Sequence, residues 1–257
     1  MDGNNNIASF TAQRTGVPGC TDCIHRANCP GFKLAQAGRA VPENRILHPR
    51  PAHQGQTMCA IGDPCNGIYI VRSGSFKSFC LDENGETQVL GFHLPGEIFG
   101  INGILTGRYS QFVEALGTAS VCKIPLTMFN ATNSTTGYPA VSLLRIIGQV
   151  LARDHKLIYM LGRMTAQRKF AYFLVDLVDR LRIFGIEQGE FTLSMSRADI
   201  ANYLGLAIET ISRLFTQLHA RDLVDVNRRH LRIRNMETLR AMAKERPATQ
   251  LLLDKAG

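Results

Sequence analysis

The fold is decided by residues 196–218, SRADIANYLGLAIETISRLFTQL. The stretch opens with a capping box at Ser196–Asp199, in which Asp takes the fourth position that Glu usually holds. Gly205 marks a turn, because glycine readily adopts the left-handed conformation that ends many helices. Apolar residues recur at helical spacing on both sides of this turn, at Ile200, Tyr203 and Leu204 before it and at Ile208, Ile211, Leu214, Phe215 and Leu218 after it. The pattern predicts a helix-turn-helix with helices at 197–204 and 208–221.

The other side of the second predicted helix carries three polar residues at i, i+3 and i+4, namely Glu209, Ser212 and Arg213. They lie near the helix N-terminus, which is the end that a recognition helix presents to base edges. Arginine can form two hydrogen bonds with guanine and glutamate can accept one from cytosine, so the pair fits a G·C step in DNA. The alternative is a winged three-helix domain that binds protein, with Glu209 and Arg213 as a surface ion pair.

A small basic hairpin is predicted after the helix-turn-helix, at Val224–Arg234. Leu231 and Ile233 alternate there with two arginines, which is typical of a half-buried strand. The loop Asn227–His230 suits contact with DNA phosphates, and it is equally typical of a solvent-exposed hairpin tip.

Residues 55–125 show short apolar runs separated by turn residues, the pattern of a β-sandwich or barrel. The runs are predicted as strands at 68–71, 76–81, 89–94, 112–116 and 121–125. A hairpin turn at Asp82–Gly85 separates the second run from the third. After Pro139 the period changes, and long helices are predicted at 141–161 and 166–184.

The first long helix carries a heptad seam of the kind that pairs helices in a coiled coil. Its members are Leu144, Ile147, Leu151, Asp154, Ile158 and Leu161. Asp154 takes a position where a coiled coil favours an apolar residue, so a parallel dimer would place two carboxylates face to face. The seam therefore predicts a marginally stable homodimer, and the alternative is that Asp154 lies on a solvent-exposed face.

Charge and composition reduce the number of function classes that fit the sequence. Lys and Arg number 29 against 21 Asp and Glu in 257 residues, and the net charge of +8 fits a polyanionic partner. No apolar run approaches the roughly 18–20 residues that span a bilayer, and the N-terminus lacks the pattern of a secretory signal. We therefore expect a cytoplasmic protein without a membrane partner. No phosphate-binding glycine loop, nucleophile elbow or metal-hydrolase His-Glu pair is present, so no enzyme activity is predicted.

Three of the seven cysteines lie close together, as Cys20-x2-Cys23-x5-Cys29. In a reducing compartment, such spacing indicates metal or redox chemistry rather than disulfides. Soft thiolates bind iron–sulfur groups, zinc or copper(I), and a cuboidal cluster takes four of them. The spacing does not choose the fourth ligand among the remaining cysteines, Cys59, Cys65, Cys80 and Cys122. Zinc with His25 is an alternative, whereas attached c-type haem is excluded because Ile24 follows Cys23.

The chain resembles the CRP/FNR superfamily of bacterial transcription regulators, and within it the oxygen-responsive FNR branch. The resemblance extends from Cys20 to about Asn235 and is carried by the cysteine spacing, by IVRSG at 70–74, GFHL at 91–94, DIANYLGL at 199–206 and ETISRL at 209–214. It implies an α+β fold, with a cyclic-nucleotide-binding-like β-roll (a jelly-roll), a long dimerisation helix and a C-terminal winged helix-turn-helix. The expected domains are an N-terminal segment 1–40 with the cluster cysteines, a sensor roll 41–138, the dimer helix 139–164 and a DNA-binding domain 165–257.

The resemblance also implies a cofactor and a mode of action. The fourth ligand of the branch lies on a Val-Cys-x-Ile-Pro strand, which is Val121–Pro125 here, so a 4Fe–4S cluster held by Cys20, Cys23, Cys29 and Cys122 is implied. Oxygen would dismantle the cluster. The intact cluster would favour a homodimer that binds a TTGAT-type palindrome in double-stranded DNA and acts as an activator of anaerobic gene expression. The same scaffold controlled by zinc, thiol oxidation or haem is the alternative.

Three further expectations follow from the family pattern. Activation needs contact with RNA polymerase, for which the hairpin tip Asp82–Glu86 is a candidate, as much as it is an ordinary exposed turn. Cyclic nucleotide binding is not expected, because Gly100–Gly103 lacks the glutamate, and Tyr109-Ser110 the arginine, of the phosphate-binding cassette. Cys59, Cys65 and Cys80 are expected to be small buried hydrophobic residues rather than ligands.

Overall fold

The structure is a computed structural model that describes residues 20, 23, 25–27, 29–32, 46–128, 138–183 and 190–244, without the side chains of 128 and 138–143. The chain forms two compact units, Met1–Asp154 and His155–Gly257. The predicted loose segments at residues 1–19 and after Pro247 lie outside the described residues.

The first unit contains two antiparallel sheets, which confirm the predicted β-roll. One has the strand order β1-β6-β3-β4 and the other the order β5-β2-β7. The strands are β1 (Thr57–Cys59), β2 (Gly67–Ser73), β3 (Phe76–Leu81), β4 (Thr87–His93), β5 (Ile98–Phe99), β6 (Phe112–Ala115) and β7 (Ser120–Pro125). Short 3-10 helices lie at Ile101–Gly103 and Leu126–Met128. The predicted hairpin turn joins β3 to β4, where Asp82 Oδ1 accepts hydrogen bonds from the backbone N–H groups of Asn84 and Glu86.

The sheet β5-β2-β7 is buried on both faces. Tyr69 and Val71 belong to the hydrophobic cluster inside the roll. Their neighbours Ile68 and Ile70 point to the opposite face, because side chains alternate along a strand. A second cluster covers that face and contains Cys20, Ile46, Ile68, Ile70, Ile98, Cys122, Ile124 and Ile146. An uninterrupted apolar run such as Ile68–Val71 is typical of a strand covered on both sides.

The long helix α1 (Tyr138–Arg163) buries one face and exposes another. Ile146 and Met160 are buried, and Ile146 joins the cluster that covers β2 and β7. The exposed apolar residues are Leu144, Ile147, Leu151, Ile158 and Leu161, of which Ile158 is 67% exposed. In the first unit, Arg153 Nη2 donates to Glu97 Oε1 at 3.1 Å, and Glu97 is itself buried. This ion pair fixes the helix against the turn between β4 and β5.

The second unit is a winged helix-turn-helix, as predicted. Its elements are α2 (Ala166–Arg182), β8 (Glu190–Thr192), α3 (Arg197–Leu204), α4 (Ile208–Ala220), β9 (Val224–Asn227), β10 (His230–Ile233) and α5 (Met236–Ala243). The strands form a three-stranded sheet in the order β8-β10-β9. The largest fully buried side chains of this unit are Met160, Phe170, Leu174, Ile200, Leu204, Ile211, Leu231 and Leu239.

The predicted turn signals of the helix-turn-helix are confirmed. Ser196 and Asp199 form the reciprocal capping box, and Gly205 has φ 60° and ψ 46° in the left-handed region. The buried ammonium of Lys169 donates to the carbonyl of Leu204 at 3.2 Å, so a lysine of α2 satisfies the C-terminus of α3. One detail of the prediction is wrong: Ile208 is 43% exposed rather than buried, because α4 begins at this residue and the core covers only its later turns.

Removing the cap at Ser196 is expected to destabilise the second unit. Ser196→Ala deletes the acceptor of the Asp199 N–H, which costs about 1 kcal/mol of unfolding free energy. Ser196→Thr keeps the hydroxyl and most of the stability. Urea unfolding of the full chain measures the difference, with Ser194→Ala, two residues upstream, as the matched control. Equal losses from both alanine variants would contradict the role of the cap.

Candidate thiol site and nucleic-acid interface

The three N-terminal cysteines lie on a chain that turns back on itself. The N–H of Arg26 donates to the carbonyl of Cys23 at 3.0 Å, and the N–H of Cys29 donates to that of His25 at 2.8 Å. A longer contact of 3.4 Å joins the N–H of Cys23 to the carbonyl of Cys20. Successive turns of this kind keep the three sulfur atoms on one short loop.

The fourth cysteine lies in the middle of β7, where Cys122 pairs directly with Ile70 of β2. Directly opposed residues of an antiparallel pair share one face of the sheet, so Cys122 belongs to the face that the cysteine loop covers. All four predicted cysteines line a single cavity, together with Arg26, Gly31, Phe32, Ile46, His48, Ile70 and Arg72. The structure thus brings together Cys20, Cys23, Cys29 and Cys122, which are up to 102 positions apart in sequence (122 minus 20).

The cavity wall fits closely around the thiols. A Cβ added to Gly31 would lie 2.4 Å from Cδ1 of Ile70 and 3.7 Å from Sγ of Cys29, so no larger residue fits there without rearrangement. Four sulfur donors, an apolar lining and a tight backbone approach match the needs of a cuboidal iron–sulfur cluster. Among the described residues, no group of three or more His, Cys, Asp or Glu side chains has an arrangement that could hold a single metal ion.

The electrostatics of the cavity also fit an anionic group. Burial, together with the nearby sulfurs of Cys29 and Cys20 and against the opposing effect of Arg72, raises the pKa of the Cys122 thiol to about 12. Several thiolates in one place therefore require compensating positive charge. Arg72 and Arg26 both line the cavity and carry it.

Two histidines near the cavity have different surroundings. Nδ1 of His48 lies 3.5 Å from Sγ of Cys122. Burial, with a contribution from Arg72, lowers the pKa of His48. His25, considered as a zinc ligand from the sequence, has its Nε2 2.9 Å from the carbonyl oxygen of Arg72 and is not among the residues that line the cavity.

The remaining cysteines are placed elsewhere. Cys59 and Cys65 are buried in the roll interior, where burial raises the pKa of the Cys59 thiol to about 12. The expectation that Cys80 is buried is wrong, because Cys80 lies on β3 with its side chain partly exposed. Its Sγ lies 3.9 Å from the carbonyl oxygen of Gln88 on the neighbouring strand.

The two segments that correspond to the cyclic-nucleotide cassette, Gly100–Gly103 and Tyr109-Ser110, are occupied by hydrogen bonds of their own side chains. Tyr109 is only 4% exposed, and its hydroxyl donates to the carbonyl of Gly67 at 2.7 Å. Burial and the nearby Tyr69 raise the pKa of Tyr109. Asn102 donates to the hydroxyl of Ser110 at 2.9 Å, which joins the two parts of the former cassette to each other. No charged partner for a phosphate stands at these two positions.

The three predicted DNA-contacting residues of the recognition helix α4 differ in their exposure to solvent. Glu209 and Arg213 are exposed, whereas Ser212 is partly buried and accepts a hydrogen bond from Arg197 at 3.3 Å. Arg197 also lies over the ring of Phe215, 5.3 Å from its centre. Arg197 was missed from the sequence, although its place at the start of α3 beside a capping serine was visible.

The wing adds positive charge beside this helix. Strands β9 and β10 are joined by Arg228 and Arg229, and Arg228 adopts a positive φ of 56°. Both arginines line a cavity of about 150 Å³ with Leu193, Met195, Ser196, Arg197, Ile200 and Phe215. The base of the wing is held by His230 and Glu190 at 2.6 Å, and this hydrogen bond lowers the pKa of Glu190.

Comparison with known proteins identifies the family to which this architecture belongs. A model named cyclic nucleotide-binding domain matches residues 49–134, and one named Crp-like helix-turn-helix domain matches residues 168–242. The fumarate and nitrate reduction regulatory protein of Salmonella typhi is 33% identical over 87% of this chain and 90% of its own. The transcriptional activator protein anr of Pseudomonas aeruginosa is 34% identical over 87% of this chain and 92% of its own. This chain belongs to the FNR branch of the CRP/FNR superfamily.

The FNR assignment agrees with the solved structures. The structure of FixK2 from Bradyrhizobium japonicum has a TM-score of 0.71 and 27% sequence identity, and the match covers 79% of this chain and 99% of FixK2. The CRP/FNR proteins are DNA-binding transcription regulators rather than enzymes. Within the part of the chain that the structure describes, the helices are too short or too polar to cross a membrane.

Proposed function

We propose that this FNR-branch protein is an oxygen-responsive transcription regulator that controls anaerobic gene expression through a 4Fe–4S cluster. The observation that carries the proposal is the convergence of Cys20, Cys23, Cys29 and Cys122 on one cavity. Relatives named anaerobic regulatory protein, from Pasteurella multocida and Haemophilus influenzae, support the anaerobic role. The four thiolates would hold the cluster, which supplies the sensitivity to oxygen.

The packing around Cys122 offers a route from the thiol site to the dimer helix. Cys122 and Ile146 of α1 belong to the same hydrophobic cluster, which also contains Cys20. Reorganising the cysteine loop therefore changes what covers the buried face of α1. The ion pair of Glu97 with Arg153 fixes the same helix next to the last residue of the first unit, Asp154. We propose that an intact site holds α1 in the orientation that favours dimerisation.

The exposed stripe of α1 is the proposed dimer interface. Leu144, Ile147, Leu151, Ile158 and Leu161 are large apolar residues exposed at heptad spacing, and a second copy of the helix would cover them. Asp154 is exposed at the same spacing, seven residues after Ile147 and seven before Leu161. Two Asp154 carboxylates across a parallel seam repel each other as they lose water, which keeps dimerisation marginal and open to control.

The dimer would read a palindrome in double-stranded DNA. Two recognition helices spaced by one DNA turn, about 34 Å, enter successive major grooves. Glu209 and Arg213 would contact base edges of a TTGAT-type half-site, with Ser212 beside them. Arg228 and Arg229 on the wing would contact phosphates and supply affinity without sequence preference.

The other partners follow from the same proposal. The ordered, exposed hairpin tip at Asp82–Glu86 is proposed as a contact with RNA polymerase. Cyclic nucleotide is not a proposed ligand, because Tyr109, Asn102 and Ser110 close the former cassette with uncharged groups. With DNA as its partner, the regulator would act in the cytoplasm.

Replacing the distant cysteine tests the cofactor. Anaerobically purified protein is expected to contain about four iron and four sulfide per chain. Cys122→Ser should lose most of both, and with them anaerobic binding to the palindrome, because the buried strand can supply no other thiolate. Cys80→Ser is the matched control, since Cys80 lies on the roll outside the cavity, and should keep the iron. Iron and sulfide analysis that finds Cys122→Ser fully loaded would contradict the ligand set, and zinc in place of iron would support the alternative signal.

Replacing Asp154 tests the dimer seam. Asp154→Ala removes two facing carboxylates and should raise the dimer fraction of cluster-free protein in sedimentation velocity. Glu237→Ala removes the same charge from an exposed position on α5 and should leave the monomer fraction unchanged. A monomer fraction that is equal in wild type and Asp154→Ala would refute the seam.

A further inference from the structure

Backbone hydrogen bonds between the neighbouring residues Leu47 and Lys123 place His48 beside Cys122. The N–H of Leu47 donates to the carbonyl of Lys123 at 2.9 Å, and the N–H of Lys123 donates to the carbonyl of Leu47 at 2.8 Å. This reciprocal pair extends the sheet beyond β7. His48 and Cys122 are the next residues along these two antiparallel segments, so they lie opposite each other. Nδ1 of His48 is 3.5 Å from the Cys122 sulfur.

The chemistry of a ligated cysteine fixes the direction of this hydrogen bond. A thiolate bound to iron has no proton to donate, so the sulfur can only accept. Nδ1 of His48 must then carry the proton. Hydrogen bonds to cluster sulfurs stabilise the more negative, reduced state and raise the reduction potential.

Arg72 acts from the same side of the cavity. It lines the same cavity as Ile70 and Cys122, at the point where the register between β2 and β7 shifts. Its backbone carbonyl is bound by His25 from within the cysteine loop. The Arg72 charge and the His48 hydrogen bond therefore converge on the ligand that joins the loop to the sheet.

We infer that His48 is a positioning residue that donates a hydrogen bond to the sulfur of Cys122 and thereby sets the reduction potential of the bound cluster. The inference rests on the proposed iron–sulfur function. It assigns a role to a residue that the cysteine motif does not include. It also gives a role to an imidazole that lies among the four thiols, two arginines and the apolar residues of the cavity.

Two substitutions separate the hydrogen bond from the shape of the ring. His48→Phe keeps a ring and removes the donor, whereas His48→Asn places an amide nitrogen where Nδ1 stands. Redox titration of the anaerobically loaded full-length protein should give His48→Phe a lower cluster potential than wild type. His48→Asn should restore the potential toward that of wild type, and resonance Raman bands of the iron–sulfur(Cys) bonds should shift and recover in the same order. His53→Phe, at an exposed histidine outside the cavity, should leave both unchanged.

The possible outcomes are distinct. Equal potentials in wild type and His48→Phe, at equal iron content, would overturn the inference while leaving the proposed function standing. Loss of iron in His48→Phe with retention in His48→Asn would support it, because Asn restores the donor without restoring the ring. Equal loss of iron in both variants, with circular dichroism unchanged, would overturn it. A wild-type chain that binds no iron would instead defeat the proposed function itself.

Discussion

The pairing of Cys122 with Ile70 is the constraint on which the rest of the molecule depends. It places a thiol in the middle of a sheet that is buried on both faces, with the roll interior on one side and the cysteine loop on the other. A ligand on a paired strand is far more rigid than one on a loop. The loop cysteines can therefore close onto a fixed point, and Gly31 allows the close backbone approach that this requires.

The same buried face connects the four-cysteine site to helix α1 through direct packing. Ile146 packs into the cluster that contains Cys20 and Cys122, and the opposite side of that helix exposes a stripe of apolar residues. A change beneath one face of a helix alters its orientation, and with it the fit of the other face. In the proposed dimer, the exposed Asp154 would keep the free energies of monomer and dimer close, so that a small change in packing free energy would shift the equilibrium.

Features with local sequence signals were predicted well. The capping box at Ser196, the left-handed Gly205 and the wing hairpin depend on neighbours within a few residues, and all three are present. The burial of Ile208 was predicted wrongly, because periodicity does not show where the core ends along a helix. Strands β1, β5 and β8 have only two or three residues, too few for a periodic signal, whereas helix α5 was missed although Asn235 caps it. The roles of His48 and Arg72 depend on contacts between distant segments. The unbroken apolar run around Ile70 was the one local signal that could have suggested a strand covered on both faces.

The central claim is that the bound cluster, through the pairing of two chains, controls DNA binding. The most direct measurement is the affinity of one anaerobic preparation for a TTGAT-type palindrome by gel shift, before and after exposure to air. The account predicts tighter binding without air, by about tenfold or more, since a dimer engages two half-sites and a monomer only one. Equal affinity in both conditions, with iron shown to be lost in air, would contradict it.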